Sequence, residues 1–105
     1  KDAFQERRDT LVEGLNNIEG VECVKPDGAF YAFPDCSDLL GKTYDGREVN
    51  DSVSLSEALL ETVHLAVVPG KPFGAEGYLR FSYAVSESEI GKGIERLSEF
   101  VKMAD

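Results

Sequence analysis

Residues 65–84 read LAVVPGKPFGAEGYLRFSYA, and the rest of the chain can be read outward from them. Leu65 to Val68 is a short apolar run with β-branched residues, closed by Pro69-Gly70, and predicts a strand. Gly74 and Gly77 then carry a loop, since glycine alone takes positive φ without steric cost. Tyr78 to Tyr83 is aromatic-rich and predicts a second strand. Side chains alternate along a strand, so Leu79, Phe81 and Tyr83 share one face and Tyr78, Arg80 and Ser82 the other. An arginine inside so apolar a strand is the residue to explain. Spacing leaves two readings: a cation on a wetted sheet face with its stem along apolar neighbours, or a planar fork that grips a carboxylate or phosphate.

Upstream, residues 3–18 predict a helix whose apolar stripe is Phe4, Leu11, Val12, Leu15 and Ile18, with Gly20 as its stop. Val21–Val24 and Ala29–Phe33 predict an antiparallel hairpin about the turn Lys25-Pro26-Asp27-Gly28. The second of these strands, AFYAF, is apolar on both faces, with Phe30 and Ala32 on one and Ala29, Tyr31 and Phe33 on the other. Such a strand asks for cover on both sides, more than this chain's helices supply. Residues 34–50 are polar and predict a loop, with a tight turn at Asp45-Gly46. A helix is expected over 54–63, opened by a capping box of Ser54 and Glu57 and ending near His64, the one histidine. Residues 86–103 predict the last helix, capped by Ser86 and Glu89, with Gly91 and Gly93 suited to close packing. The order is helix, strand, strand, helix, strand, strand, helix: an α+β fold with helices on one face of a small, mainly antiparallel sheet.

The 105 residues allow one domain. Twenty acidic against eleven basic residues give a net charge of −9, which argues against nucleic acid and against an anionic membrane surface. No apolar run reaches the roughly 18 residues of a membrane span. Cys23 and Cys36 lack metal-ligand spacing and read as two reduced thiols, which suits a cytoplasmic setting. His64 has no second histidine or cysteine beside it, and Gly70-Lys71 is followed by Pro72 where a phosphate loop needs serine or threonine. Lys71 and Lys92 draw notice because an amine can bond covalently to a carbonyl cofactor. The opening Lys1-Asp2-Ala3-Phe4 starts inside a helical pattern, as a piece of a longer chain would.

PGKPFG, followed by GYLRFSYA and a capped helix, resembles the C-terminal small domain of class I aminotransferases, pyridoxal-phosphate enzymes of the aspartate aminotransferase type. RRDTLVEGLNNIEGVECVKPDGAFYAF, the run into LAVVPG and the closing SESEIGKGIERLSEF agree in order, so the resemblance covers nearly the whole chain. It implies amino-group transfer from an amino acid, such as aspartate, to a 2-oxo acid in a full-length, homodimeric enzyme. Arg80 then takes the position that grips the substrate α-carboxylate. Phe30 falls near the substrate, though filling the core would explain that aromatic equally. The family's cofactor lysine lies in a serine-rich motif of the large domain, which these residues lack. The resemblance therefore implies a chain that binds no pyridoxal phosphate alone and docks on the large domain, with Phe30, Phe73 and Tyr78 forming an apolar patch there. A free-standing α+β module that senses amino acids explains the size and the arginine as well. A large domain encoded upstream of these residues would exclude it.

Overall fold

The computed structural model describes residues 3–24, 31–82 and 87–104. Three helices, α1 (Ala3–Asn16), α2 (Ser52–Val63) and α3 (Glu87–Val101), supply most of the core. Leu11 and Leu15 of α1, Leu55 and Leu59 of α2, and Leu97 and Phe100 of α3 are almost wholly shielded from solvent, as their helical spacing requires. Helix α3 packs against both α1 and α2. Among the described residues, five short strands are β1 (Tyr31–Ala32), β2 (Lys42–Tyr44), β3 (Arg47–Val49), β4 (Val68–Pro69) and β5 (Leu79–Ser82). They form a three-stranded antiparallel sheet in the order β1-β5-β4 and a separate β2-β3 hairpin. The α+β class and the small antiparallel sheets are as the sequence predicts.

Four local expectations are corrected. Residues 34–50 are not a plain loop: they hold a 3₁₀ turn (Ser37–Leu39) and the β2-β3 hairpin. Asp45-Gly46 is indeed its turn, and both residues have positive φ (52° and 82°), the pairing that matches strand twist. The polar composition reported only the outward positions; Tyr44 and Val49 point inward and are fully buried. Tyr44 stacks on Phe100 with ring centroids 4.3 Å apart, and its hydroxyl donates to the Leu39 carbonyl at 2.6 Å.

Residues 21–24 do meet the following segment antiparallel, Glu22 bridging Asp35, while the other edge of that segment pairs with β5 through Tyr31-Ala32 and Asp35. The second correction concerns the strand expected over 65–68. Pro69, expected to end its strand, instead lies within β4 opposite Leu79, because β4 is an edge and a missing N–H costs no ladder bond on its outer side.

Helix α2 begins two residues early. Asp51 is its N-cap: its carboxylate accepts from Ser54 N–H at 2.8 Å, and the Ser54 hydroxyl accepts from Asp51 N–H at 3.0 Å. Ser54 is thus the inner member of the box, and Glu57 stands outside it. His64 closes α2 in the left-handed conformation (φ 58°), with Leu65 N–H donating to the Leu59 carbonyl. Its place is structural, and Arg96 of α3 donates to its carbonyl oxygen at 3.0 Å.

Finally, Gly91 faces open space and Gly93 leaves only ordinary contact with Leu65, so neither is needed for a close helix approach. That role falls to Gly14 of α1, where a Cβ would stand 2.3 Å from the Ile94 side chain of α3. The expected cap Ser86, the turn at 25–28 and Tyr83 lie outside the described residues.

Candidate functional site

Strand β5 sorts its side chains as the alternation demands. Leu79 and Phe81 enter the core, while Tyr78 and Arg80 stand on the opposite face of the sheet. Because β5 is the central strand, hydrogen-bonded on both sides, Arg80 projects from the most constrained backbone of that sheet. The side chain is half-buried and its Nε is shielded from water. Its guanidinium carbon lies 4.2 Å over the centre of the Tyr31 ring. The register explains the meeting, since Tyr31 pairs with Ser82 and so falls on Arg80's face, two residues along β5. A half-buried guanidinium on a fixed strand can hold a planar anion by two parallel hydrogen bonds.

The adjoining loop is rigidly built. Gly70 N–H donates to the Tyr78 carbonyl at 2.8 Å, and Ala75 N–H to the Gly70 carbonyl at 2.9 Å. A Cβ on Gly70 would come within 2.3 Å of the Ala75 oxygen and 2.8 Å of the Tyr78 oxygen, so close backbone approach demands glycine here. The start of α2 clamps this loop. Lys71 N–H donates to the hydroxyl of the fully buried Ser52, Ser52 N–H donates to the Glu76 carboxylate, and the Lys71 ammonium meets Asp51 at 3.0 Å.

That ion pair also decides how Lys71 can act. The Asp51 hydrogen bond raises the Lys71 pKa, which keeps the ammonium charged, the reverse of what an amine nucleophile needs. Lys92 is exposed on α3. Among the described residues no group of three or more metal-ligating side chains occurs. Cys23 and Cys36 are free and buried. Burial, then the nearby charges of Asp35 and Cys23, pushes the Cys36 thiol up to about 12, so it is an inert core residue.

Arg80 lines neither of two shallow cavities. One of about 290 Å³ lies between α1 and α3, floored by Leu11, Phe81 and Ile90 and edged by His64, Lys92 and Arg96. The other, about 240 Å³, is bounded by Asn16, Val24, Phe33 and Tyr78. On the same face as Arg80, Tyr31, Phe33 and Tyr78 are 38%, 48% and 37% exposed. Phe30 lies outside the described residues, as does the Phe73 side chain. The sequence analysis missed Tyr31 as Arg80's neighbour; alternation put it on a face, but only the β1-β5 register said whose.

Residues 1–97 match the model of the family described as aminotransferase class I and II. The chain belongs to this family. It is 44% identical over 104 residues to the aspartate aminotransferase of Streptomyces avermitilis, covering 99% of this chain and 26% of the relative. The aspartate/prephenate aminotransferase of Cereibacter sphaeroides is 41% identical over 101 residues, covering 95% of this chain and 25% of that protein. The crystal structure of the aspartate aminotransferase from Rhizobium meliloti superimposes with a TM-score of 0.94 at 41% identity, over 98% of this chain and 26% of that one. The chain therefore spans about a quarter of the length of these relatives. The aminotransferase family implies pyridoxal phosphate in its full-length enzymes. Among the described residues no helix is long and apolar enough to cross a membrane.

Proposed function

We propose that these residues form the C-terminal small domain of a pyridoxal-phosphate-dependent aminotransferase, and that Arg80 holds the α-carboxylate of its amino-acid substrate. The carrying observation is a half-buried arginine on a central strand, its guanidinium over an aromatic ring, in a chain of the aminotransferase family. The full-length enzyme moves an amino group from an amino acid such as aspartate to a 2-oxo acid, as a cytoplasmic homodimer. Pyridoxal phosphate, held by the large domain, supplies the electron sink for that exchange. Its attachment lysine lies in the large domain as well. This chain's share is positional. Arg80 fixes the carboxylate and so aims the α-hydrogen, Phe30 stands near the substrate, and the clamped loop at 69–77 lies at the domain junction, where closure excludes water.

The test is Arg80→Lys in the full-length enzyme, which keeps the charge and loses the bidentate fork. Removing one partner of a buried charge pair costs about 2–5 kcal/mol, so reaction with an amino acid should fall roughly thirty- to several-thousand-fold. The slow half-reaction of a simple alkylamine, which has no carboxylate, should hardly change. Equal loss with both substrates would make Arg80 structural.

A further inference from the structure

We infer that Tyr31 is a positioning residue for the carboxylate site: its ring holds the Arg80 guanidinium in place without competing for its hydrogen bonds. The inference rests on the reading of Arg80 as the carboxylate ligand. An arginine side chain has many rotamers, and a fork that must meet two oxygens at once binds weakly unless something restricts it. Arg80 has such a restraint in the Tyr31 ring, 4.2 Å beneath its Cζ. The two residues sit on strands that are hydrogen-bonded in fixed register, so neither can shift without unzipping β1 from β5.

The chemistry of the restraint matters. An aspartate or glutamate at Tyr31's position would also hold Arg80, but it would neutralise the charge and occupy donors that the substrate needs. An aromatic face attracts the cation through its quadrupole and offers no carboxylate oxygen in place of the substrate's. The Tyr31 ring thus restrains Arg80 without itself taking any of its donors. With its Nε already shielded from water, the ring contact belongs to a partly desolvated site, where such attraction is stronger than at a wet surface. Tyr31 itself is 38% exposed on the same face, so its ring forms part of the wall that an incoming substrate meets.

The experiment compares Tyr31→Phe, Tyr31→Leu and Arg80→Gln in the full-length enzyme, together with the Tyr31→Leu/Arg80→Gln double variant. The readouts are the dissociation constant of maleate, a non-reacting dicarboxylate, and the half-reactions of an amino acid and of an alkylamine. Tyr31→Phe keeps the ring and should stay within about twofold of the parent. Tyr31→Leu keeps apolar bulk without a π face and should weaken maleate by about 3- to 30-fold, the range of a ring–cation contact. It should raise the half-saturating amino-acid concentration in parallel and leave the alkylamine untouched. In the Arg80→Gln background the same Tyr31→Leu change should cost nothing further. If Tyr31→Leu binds maleate as the parent does, or weakens it equally in the Arg80→Gln background, Tyr31 does not act through Arg80. If instead Arg80→Gln spares maleate or slows the alkylamine as much as the amino acid, the carboxylate reading itself fails.

Discussion

Tyr44 shows how much one side chain fixes in a segment whose composition looked unstructured. Its ring is fully buried against Phe100 and its hydroxyl donates to the Leu39 carbonyl, so one residue joins the hairpin, the 3₁₀ turn and α3. Burial, aided by the nearby Cys36 thiol, raises its phenol pKa. Tyr44→Phe keeps the stacking and strands a buried carbonyl. We expect it to lower the unfolding free energy by about 1–3 kcal/mol in denaturant titration. Tyr44→Ala also opens a cavity and should cost about 3–5 kcal/mol. Similar losses for the two variants would mean that the ring, as distinct from the hydroxyl, contributes little.

At the scale of the element, two glycines that look alike in sequence should respond in opposite directions to alanine. Gly91 lies within α3 with nothing near a new Cβ, so Gly91→Ala removes only a helix penalty and should stabilise by about 1 kcal/mol. Gly70 is packed against two backbone oxygens that are themselves tied into the loop, and these cannot retreat as a side-chain tip could. Gly70→Ala should therefore cost about 1–3 kcal/mol. Thermal melts of the pair read the difference directly, and a Gly70→Ala protein as stable as Gly91→Ala would show that the loop relaxes freely. The Asn16 side chain does related work at the end of α1, donating to the Cys23 carbonyl and accepting from Cys23 N–H, both at 2.8 Å. It pins the chain after α1 much as the Asp51 cap pins the start of α2.

Across the whole molecule, stability should narrow from both ends of the pH scale. Hydrogen bonds from Ser54 N–H, Lys71 and the Ser54 side chain hold the Asp51 carboxyl at about 2 against its ordinary 3.8. The folded state thus favours the carboxylate, so this contribution is whole above pH 3.8 and is lost as pH falls towards 2. Cys36 works the other way. With its thiol raised from 9.0 to about 12, its contribution is whole below pH 9 and is lost as pH climbs towards 12. Asp51→Asn should flatten the acid limb of a stability–pH profile and also trim the alkaline limb where Lys71 loses its charge, while Cys36→Ala should flatten only the alkaline limb. An unchanged acid limb in Asp51→Asn would mean that the cap's charge is not linked to folding. The acid-limb effect should shrink in high salt, because Asp51 and Lys71 meet in water.

The sequence by itself determined what repeats along the chain. The stripes of α1 and α3, the alternation that sends Leu79 and Phe81 inward and Arg80 outward, and the Asp45-Gly46 turn are local patterns, legible because helix and strand periods leave regular marks. It also placed the chain in its family, through an ordered set of segments rather than any one residue. Tertiary structure decided what depends on partners distant in sequence. The sequence pattern points to Ser54 as the cap of α2, and the structure's use of Asp51 instead goes with its pairing to Lys71, twenty residues on. The polar run at 34–50 became a hairpin because Tyr44 and Val49 found a cavity formed by other elements, which composition cannot record. Tyr31 became Arg80's neighbour through the β1-β5 register. A shift of one residue would have turned that ring to the other face, and no pattern within either strand specifies the register between them.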